Sequence, residues 1–184
     1  MTTSPLELAT FAGGCFWCTE AVFSRVRGVV HVEPGYSNGH DRHPSYDKVC
    51  SGQTGHAEVV QVRFDPAVVG YDELLDVFFT THDPTTLNRQ GNDTGTQYRS
   101  AIFTHSEAQA AAAHAHMAAL TEQGAYGGAR IVTEVAPVDN YHPAEAYHHN
   151  YFEHHPHEGY CTFVVAPKVA KFRHAFPDLD TRRA

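Results

Sequence analysis

Apolar and polar positions along the chain repeat with two different periods, and the change of period marks the elements. Leu6 to Phe11 reads as a short strand closed by Gly13-Gly14. Thr19, Val22, Phe23 and Val26 then recur at helical spacing, which predicts a helix running to about Val26. After Gly28, the β-branched run Val29 to Tyr36 predicts a strand, stopped by turn residues at Pro34-Gly35 and Ser37-Asn38-Gly39. Ser45 to Val49 has room for one helical turn. Ala57 to Phe64 is the clearest strand, and Tyr71, Leu74, Leu75, Phe78 and Phe79 form a helical stripe. Ser100 to Thr104 completes a β-α-β-β-α-β order.

That order predicts an α+β fold, a two-layer α/β plait with a ferredoxin-like βαββαβ core and helices on one face of the sheet. Additional helices and a C-terminal extension follow. Ser106-Glu107-Ala108-Gln109 reads as a capping box for an Ala-rich helix ending near Gly124. Beyond it are a strand near Ile131 to Val135, a His-rich helix from about Pro143 and a last helix after Pro167.

With 184 residues and no repeat or linker, the chain fits a single domain, residues 1–184. Thirteen Lys and Arg against 21 Asp and Glu leave a net charge of −8, which argues against nucleic-acid and anionic-membrane surfaces. No apolar run approaches the about 20 residues of a membrane span. The opening Met1-Thr2-Thr3-Ser4-Pro5-Leu6 has neither the basic region nor the apolar stretch of a secretory leader. These features predict a soluble, cytoplasmic protein, and without a signal for oligomerisation a monomer is expected.

In a reducing compartment, Cys15, Cys18, Cys50 and Cys161 are not expected to form a disulfide framework. Cys50 reads as a small buried hydrophobe. Cys15 occupies Gly13-Gly14-Cys15-Phe16-Trp17-Cys18, where a strand gives way to a helix. A free thiol near pKa 8.5 is only about 3% thiolate at pH 7. Unpaired amides and the dipole at a helix start stabilise the anion and make the sulfur a nucleophile. Phe16 and Trp17 put aromatic surface beside it. Cys15 and Cys18 also form a C-x-x-C. Zinc needs two more ligands at comparable spacing, and a thioredoxin-like redox pair disagrees with the order of elements.

Alternation along Glu58-Val59-Val60-Gln61-Val62-Arg63-Phe64 puts Glu58 on the apolar face with Val60, Val62 and Phe64, and Gln61 with Arg63 on a wetter one. A desolvated carboxyl holds its proton nearer to neutrality and can serve as a general acid. The polar segment Asn88 to Arg99 has the composition of a binding loop, with Asp93 and Tyr98 as candidates. Fifteen histidines crowd the chain, six of them between His142 and His157, without the spacing of a metal site. A solvated face is the simpler reading.

Gly13-Gly14-Cys15-Phe16-Trp17 resembles the nucleophile motif of the A-type peptide methionine sulfoxide reductases. Pro44-Ser45-Tyr46-Asp47-Lys48-Val49-Cys50-Ser51-Gly52, Thr54-Gly55-His56-Ala57-Glu58, His82-Asp83-Pro84 and Gly95-Thr96-Gln97-Tyr98-Arg99-Ser100 match as well, as do Glu145-Ala146-Tyr147-His148 and Gly159-Tyr160-Cys161. The resemblance runs from about Phe11 to Phe172. It implies reduction of the S-epimer of methionine sulfoxide, free or in proteins, and so repair of oxidised protein.

On that resemblance Cys15 is the nucleophile and Glu58 the proton donor. Tyr46 and Tyr98 hydrogen-bond the sulfoxide oxygen, Phe16 and Trp17 hold the methyl group, and Asp93 orders the site. The sulfenic acid on Cys15 is resolved to a disulfide, and thioredoxin restores the thiols. No metal or organic cofactor is implied. Relatives often have glycine where this chain has Cys18, and some have two cysteines in a glycine-rich tail where Cys161 stands alone. The resemblance favours Cys161 as the resolving residue, with Cys18 its rival. Two other readings are a general dithiol oxidoreductase using Cys15 and Cys18, and a His/Cys metal-binding scaffold.

Overall fold

The computed structural model describes residues 5–182, so Met1–Ser4, on which the reading of the leader rests, lie outside the described residues. The elements are β1 (Glu7–Gly13), α1 (Phe16–Phe23), β2 (Val29–Ser37), α2 (Tyr46–Cys50), β3 (Ala57–Phe64), α3 (Tyr71–Thr81), β4 (Arg89–Gln90), β5 (Asp93–Thr94), β6 (Ser100–Thr104), α4 (Glu107–Glu122), β7 (Glu134–Pro137), β8 (His142–Pro143), α5 (Tyr151–His154) and α6 (Ala166–Ala175). Short 3₁₀ turns cover Thr96–Tyr98 and Ala146–His148, and a π-helical turn, Cys161–Val165, leads into α6.

Six strands form one sheet in the order β7-β6-β1-β3-β2-β8, antiparallel except for the parallel pair β6–β7. This is a mixed α/β fold on a mostly antiparallel sheet, as the α+β expectation has it. The two strands β4 and β5 make a separate hairpin inside the polar segment after α3.

The alternation that defines the strands also sorts the core. Ala9 and Phe11 of β1 join Val60, Val62 and Phe64 of β3 under α1, α3 and α6. Phe11 stacks on Phe23 of α1 at 4.9 Å and on Phe78 of α3 at 5.0 Å, which pins both helices to the middle of the sheet. Each such ring removed from water contributes about 1.5–3 kcal/mol. The other face carries a small cluster of Ala12, Ala57, Val59, Ala101 and Phe103. Gln61 is half-buried and Arg63 exposed, the wetter side that alternation predicts.

Several expectations change where long-range pairing overrides local pattern. The first helix ends at Phe23, short of Val26, because the chain there pairs with the C-terminal segment. Val26 bridges Asp180, and the Arg27 amide donates to the Leu179 carbonyl at 2.7 Å. The parallel strand lies at Glu134–Pro137, a few residues beyond Ile131 to Val135. No long His-rich helix starts near Pro143. His142 and Pro143 pair instead with Tyr36 and Gly35 of β2, and Asn150 adopts a left-handed φ of 55° that separates the 3₁₀ turn from α5. The last helix includes Pro167, directly after the π-helical turn that leads into it. At α4, Ser106 Oγ accepts from the Gln109 amide at 3.1 Å. The Gln109 side chain takes the His105 amide and donates to the Leu8 carbonyl, so half of the capping box is diverted into a tie to β1.

Candidate active site

The turn between β1 and α1 places the first cysteine. Gly14 has φ +94°, and a Cβ there would lie 2.6 Å from Gln90 Cγ, so the turn requires glycine. Cys15 follows in extended conformation as the N-cap of α1, with Phe16 and Trp17 as the first helical residues. The free amides of this first turn are already committed. Phe16 N–H donates to Glu58 Oε1 at 3.1 Å, and Trp17 N–H reaches the Cys15 sulfur.

Glu58 comes from β3, opposite Tyr36 of β2, and is 2% exposed. Burial lifts its carboxyl to about 8, against the smaller opposing pull of the Phe16 amide. It is therefore protonated at neutral pH, as its place on the apolar face predicts.

The nucleophile behaves differently from the expectation at a helix start. Cys15 is 8% exposed, and burial raises its thiol well above the ordinary value. The hydrogen bond to Cys18 and the nearby Glu58 push the same way, and the Trp17 amide offsets only part of this. Cys18 is lowered by that same bond to Cys15. Desolvation wins over the helix terminus, and the resting Cys15 is a thiol.

Tyr46 opens α2 and Tyr98 closes the 3₁₀ turn Thr96–Tyr98. Both are half-buried, both hydroxyls are raised chiefly by burial, and Glu58 and Cys15 add to the shift at each. The pair therefore frames the carboxyl and the thiol as neutral hydrogen-bond donors. Asp93, on β5, accepts from the Tyr160 hydroxyl at 2.6 Å, and that hydroxyl lies 3.9 Å from Cys18 Sγ. Cys161 follows Tyr160 in the chain. It is fully buried, its thiol is raised by burial, and Cys18 is the sulfur that acts on it. Every candidate residue from the sequence is thus brought to one end of the sheet. Cys50 departs from expectation, since it is exposed beside Tyr46.

Residues that sequence reasoning left unassigned complete the aromatic wall. Trp17 stacks on Tyr151 at 3.8 Å and 4°, meets Tyr160 edge-on at 5.8 Å, and donates its indole N–H to His148 Nδ1 at 3.0 Å. Phe16 lies 5.7 Å from Tyr36 and 6.4 Å from Tyr46. Glu145 fixes Tyr46 from behind, accepting from its amide at 2.9 Å and from the Tyr36 hydroxyl at 2.8 Å. Tyr36 is near Phe16 in the chain, whereas Glu145, His148, Tyr151 and Tyr160 lie about 100 or more positions from their partners. Their signal in one dimension is the pair of motif pieces Glu145-Ala146-Tyr147-His148 and Gly159-Tyr160-Cys161. Among the described residues no three His, Cys, Asp or Glu side chains form a cluster able to hold a metal ion, and no helix is long and apolar enough to cross a membrane.

A pair of thiols at a helix start, beside a carboxyl that keeps its proton and inside an aromatic recess, defines a thiol-dependent oxidoreductase site. Residues 7–179 match the family of peptide methionine sulfoxide reductases. The enzyme named peptide methionine sulfoxide reductase MsrA of Ralstonia nicotianae is 57% identical over 175 residues, covering 93% of this chain and 91% of its own. The reduced form of Mxr1 from Saccharomyces cerevisiae has a TM-score of 0.79 at 38% identity, over 87% of this chain and 92% of that one. Mxr1 has also been solved in complex with Trx2, where the TM-score is 0.56 at 29% identity, over 82% and 89% of the two chains. The chain belongs to the peptide methionine sulfoxide reductase family.

Proposed function

We propose that this protein reduces the S-epimer of methionine sulfoxide, free or in proteins, to methionine, and is returned to its thiol form by thioredoxin in the cytoplasm. The observation that carries the reading is the buried Glu58, protonated at neutral pH and held one residue from the Cys15 sulfur by the Phe16 amide. Family membership supports the reaction, and the Mxr1–Trx2 complex supports the reductant. The central strand order β6-β1-β3-β2, with α1 and α3 as its crossovers, supports a ferredoxin-like plait within one domain.

In this reading the methyl group of the sulfoxide rests against Phe16 and Trp17, and its oxygen faces Glu58, Tyr46 and Tyr98. Cys15 Sγ attacks the sulfoxide sulfur while Glu58 protonates the oxygen, and the new carboxylate takes up the thiol proton. The sulfur–oxygen bond then breaks with loss of water, and water adds to Cys15 Sγ as the new sulfur–sulfur bond cleaves, so that methionine leaves reduced, Glu58 regains its proton and the oxygen stands on Cys15 as a sulfenic acid. A second thiol then displaces it as water, forming a disulfide. The hydrogen bond to Cys15 and the lowered thiol favour Cys18 for this step. Because Cys15 is an extended N-cap, the two can approach without unwinding α1. Cys161, whose thiol is raised by burial and, to a lesser degree, by Glu158 and Cys18, then accepts the disulfide in a second exchange. Asp93 orders the site through Tyr160.

The test is methionine formation measured by chromatography, with dithiothreitol or thioredoxin as reductant. Wild-type protein turns over, and Cys15→Ser forms none; methionine production by that variant overturns the assignment.

A further inference from the structure

The imidazole of His148 is fully buried at the centre of the aromatic wall, and nothing in the proposed chemistry uses it. Its Nδ1 accepts the Trp17 indole N–H at 3.0 Å. The ring is neutral, since burial holds its pKa down at about 4, so the proton must be on Nε2. That Nε2–H is buried with no partner, a cost a protein normally avoids. A phenyl ring would fill the same space with no orphaned group. What it lacks is the acceptor at Nδ1.

The surroundings show what the acceptor controls. Stacking on Tyr151 at 3.8 Å and 4° stops the Trp17 ring from tilting, but stacked rings can still slide and rotate in their common plane. A flip of the indole would put its N–H on the opposite edge, away from His148. One hydrogen bond at that nitrogen removes both freedoms. The imidazole also lies 4.9 Å from Phe16 and 4.5 Å from Tyr46, so one ring touches three walls of the recess. We infer that His148 is a positioning residue, whose Nδ1 locks the Trp17 indole in the single orientation that shapes the methyl-binding wall. The inference rests on the reductase reading for its catalytic consequence, though not for its spectroscopic one.

Trp17 is the chain's only tryptophan, so ¹⁵N-labelled protein gives one indole N–H resonance to follow. His148→Phe keeps the ring and removes the acceptor; His148→Asn keeps an acceptor near the position of Nδ1 in a smaller side chain. In wild-type protein the resonance is displaced downfield and exchanges slowly with water. His148→Phe loses both features and lowers kcat/KM for methionine sulfoxide about tenfold, mainly through KM, the size expected for one lost buried hydrogen bond. His148→Asn recovers the downfield resonance and most of the activity. An indole resonance unchanged in His148→Phe overturns the inference, as does His148→Asn failing on both readouts as badly as His148→Phe. A wild-type protein that binds its indole proton as described but reduces no sulfoxide overturns the reductase reading instead.

Discussion

Glu58→Gln separates the catalytic value of the buried proton from its cost to the fold. The amide preserves shape and can still accept the Phe16 N–H that Glu58 Oε1 takes at 3.1 Å. It has no proton to give, so kcat should fall by about 10²–10⁴ with KM little changed. In wild-type protein both Glu58 and Cys15 carry protons at rest, so the rate should be level below about pH 8 and fall above it. The break near 8 should be absent from the residual activity of the variant.

The same proton has a thermodynamic signature. The folded-state value of about 8 is above the ordinary 4.5, so folding favours the protonated carboxyl. Its contribution is fully present below about 4.5, declines as pH rises, and is lost above about 8. At about 1.4 kcal/mol per pH unit, wild-type protein forfeits about 3 kcal/mol at pH 7 and about 5 above pH 8. Glu58→Gln escapes this loss. Urea unfolding of both proteins from pH 5 to 9 should show the slower variant gaining stability relative to wild type as pH rises. A gain that does not vary with pH refutes the desolvation argument. A wild-type rate that climbs through pH 8 refutes the assignment of the proton donor, because the deprotonated pair would then be the reactive form.

Three further outcomes are expected. In Cys161→Ser, peptide mapping after a single turnover should find the Cys15–Cys18 disulfide, whereas Cys18→Ser should accumulate sulfenic acid or form Cys15–Cys161 more slowly; a Cys15–Cys161 bond as the first product in the wild-type chain would restore Cys161 as the direct resolving residue. Resting Cys15 should react with iodoacetamide at neutral pH no faster than an unstructured peptide thiol, and a markedly faster reaction would mean that the helix terminus outweighs burial after all. Tyr46→Phe and Tyr98→Phe should each lower kcat about 10- to 100-fold by removing a hydrogen bond to the developing charge on oxygen; an unchanged kcat in steady-state assays removes that tyrosine from the oxygen site.

The parts of this site legible in the sequence are those that depend on local period. Two-residue alternation in β3 is enough to put Glu58 beside Val60 and Val62, and its neutral carboxyl follows from that place alone. The elements Ala57–Phe64 and Ser100–Thr104 are bounded as the pattern predicts, because each strand's buried face is written in its own residues. The His-rich segment is opaque for the opposite reason. Its backbone is decided by partners more than 100 residues away, such as Glu20, which accepts the Asn150 amide at 3.0 Å and holds that residue in its left-handed turn. Cys50 illustrates the same limit: a small apolar residue type says nothing about which side of a five-residue helix meets solvent.

The state of Cys15 is not legible in the sequence, because a helix start and a buried pocket act on a thiolate with opposite sign and a sequence displays only the first. The pocket is what makes the chemistry conditional. The apolar recess that accepts a methyl group is the same one that strips water from Cys15 and Glu58, so the thiol and the carboxyl both keep their protons and stay neutral until a ligand arrives. A sulfoxide supplies what both lack: a polarised sulfur that stabilises negative charge on Cys15, and an oxygen that accepts the proton of Glu58. Reactivity therefore requires the substrate's own dipole, and a resting sulfur in its thiol form is poorly disposed to oxidants that lack one. A permanently ionised Cys15 would be faster with any electrophile and selective for none.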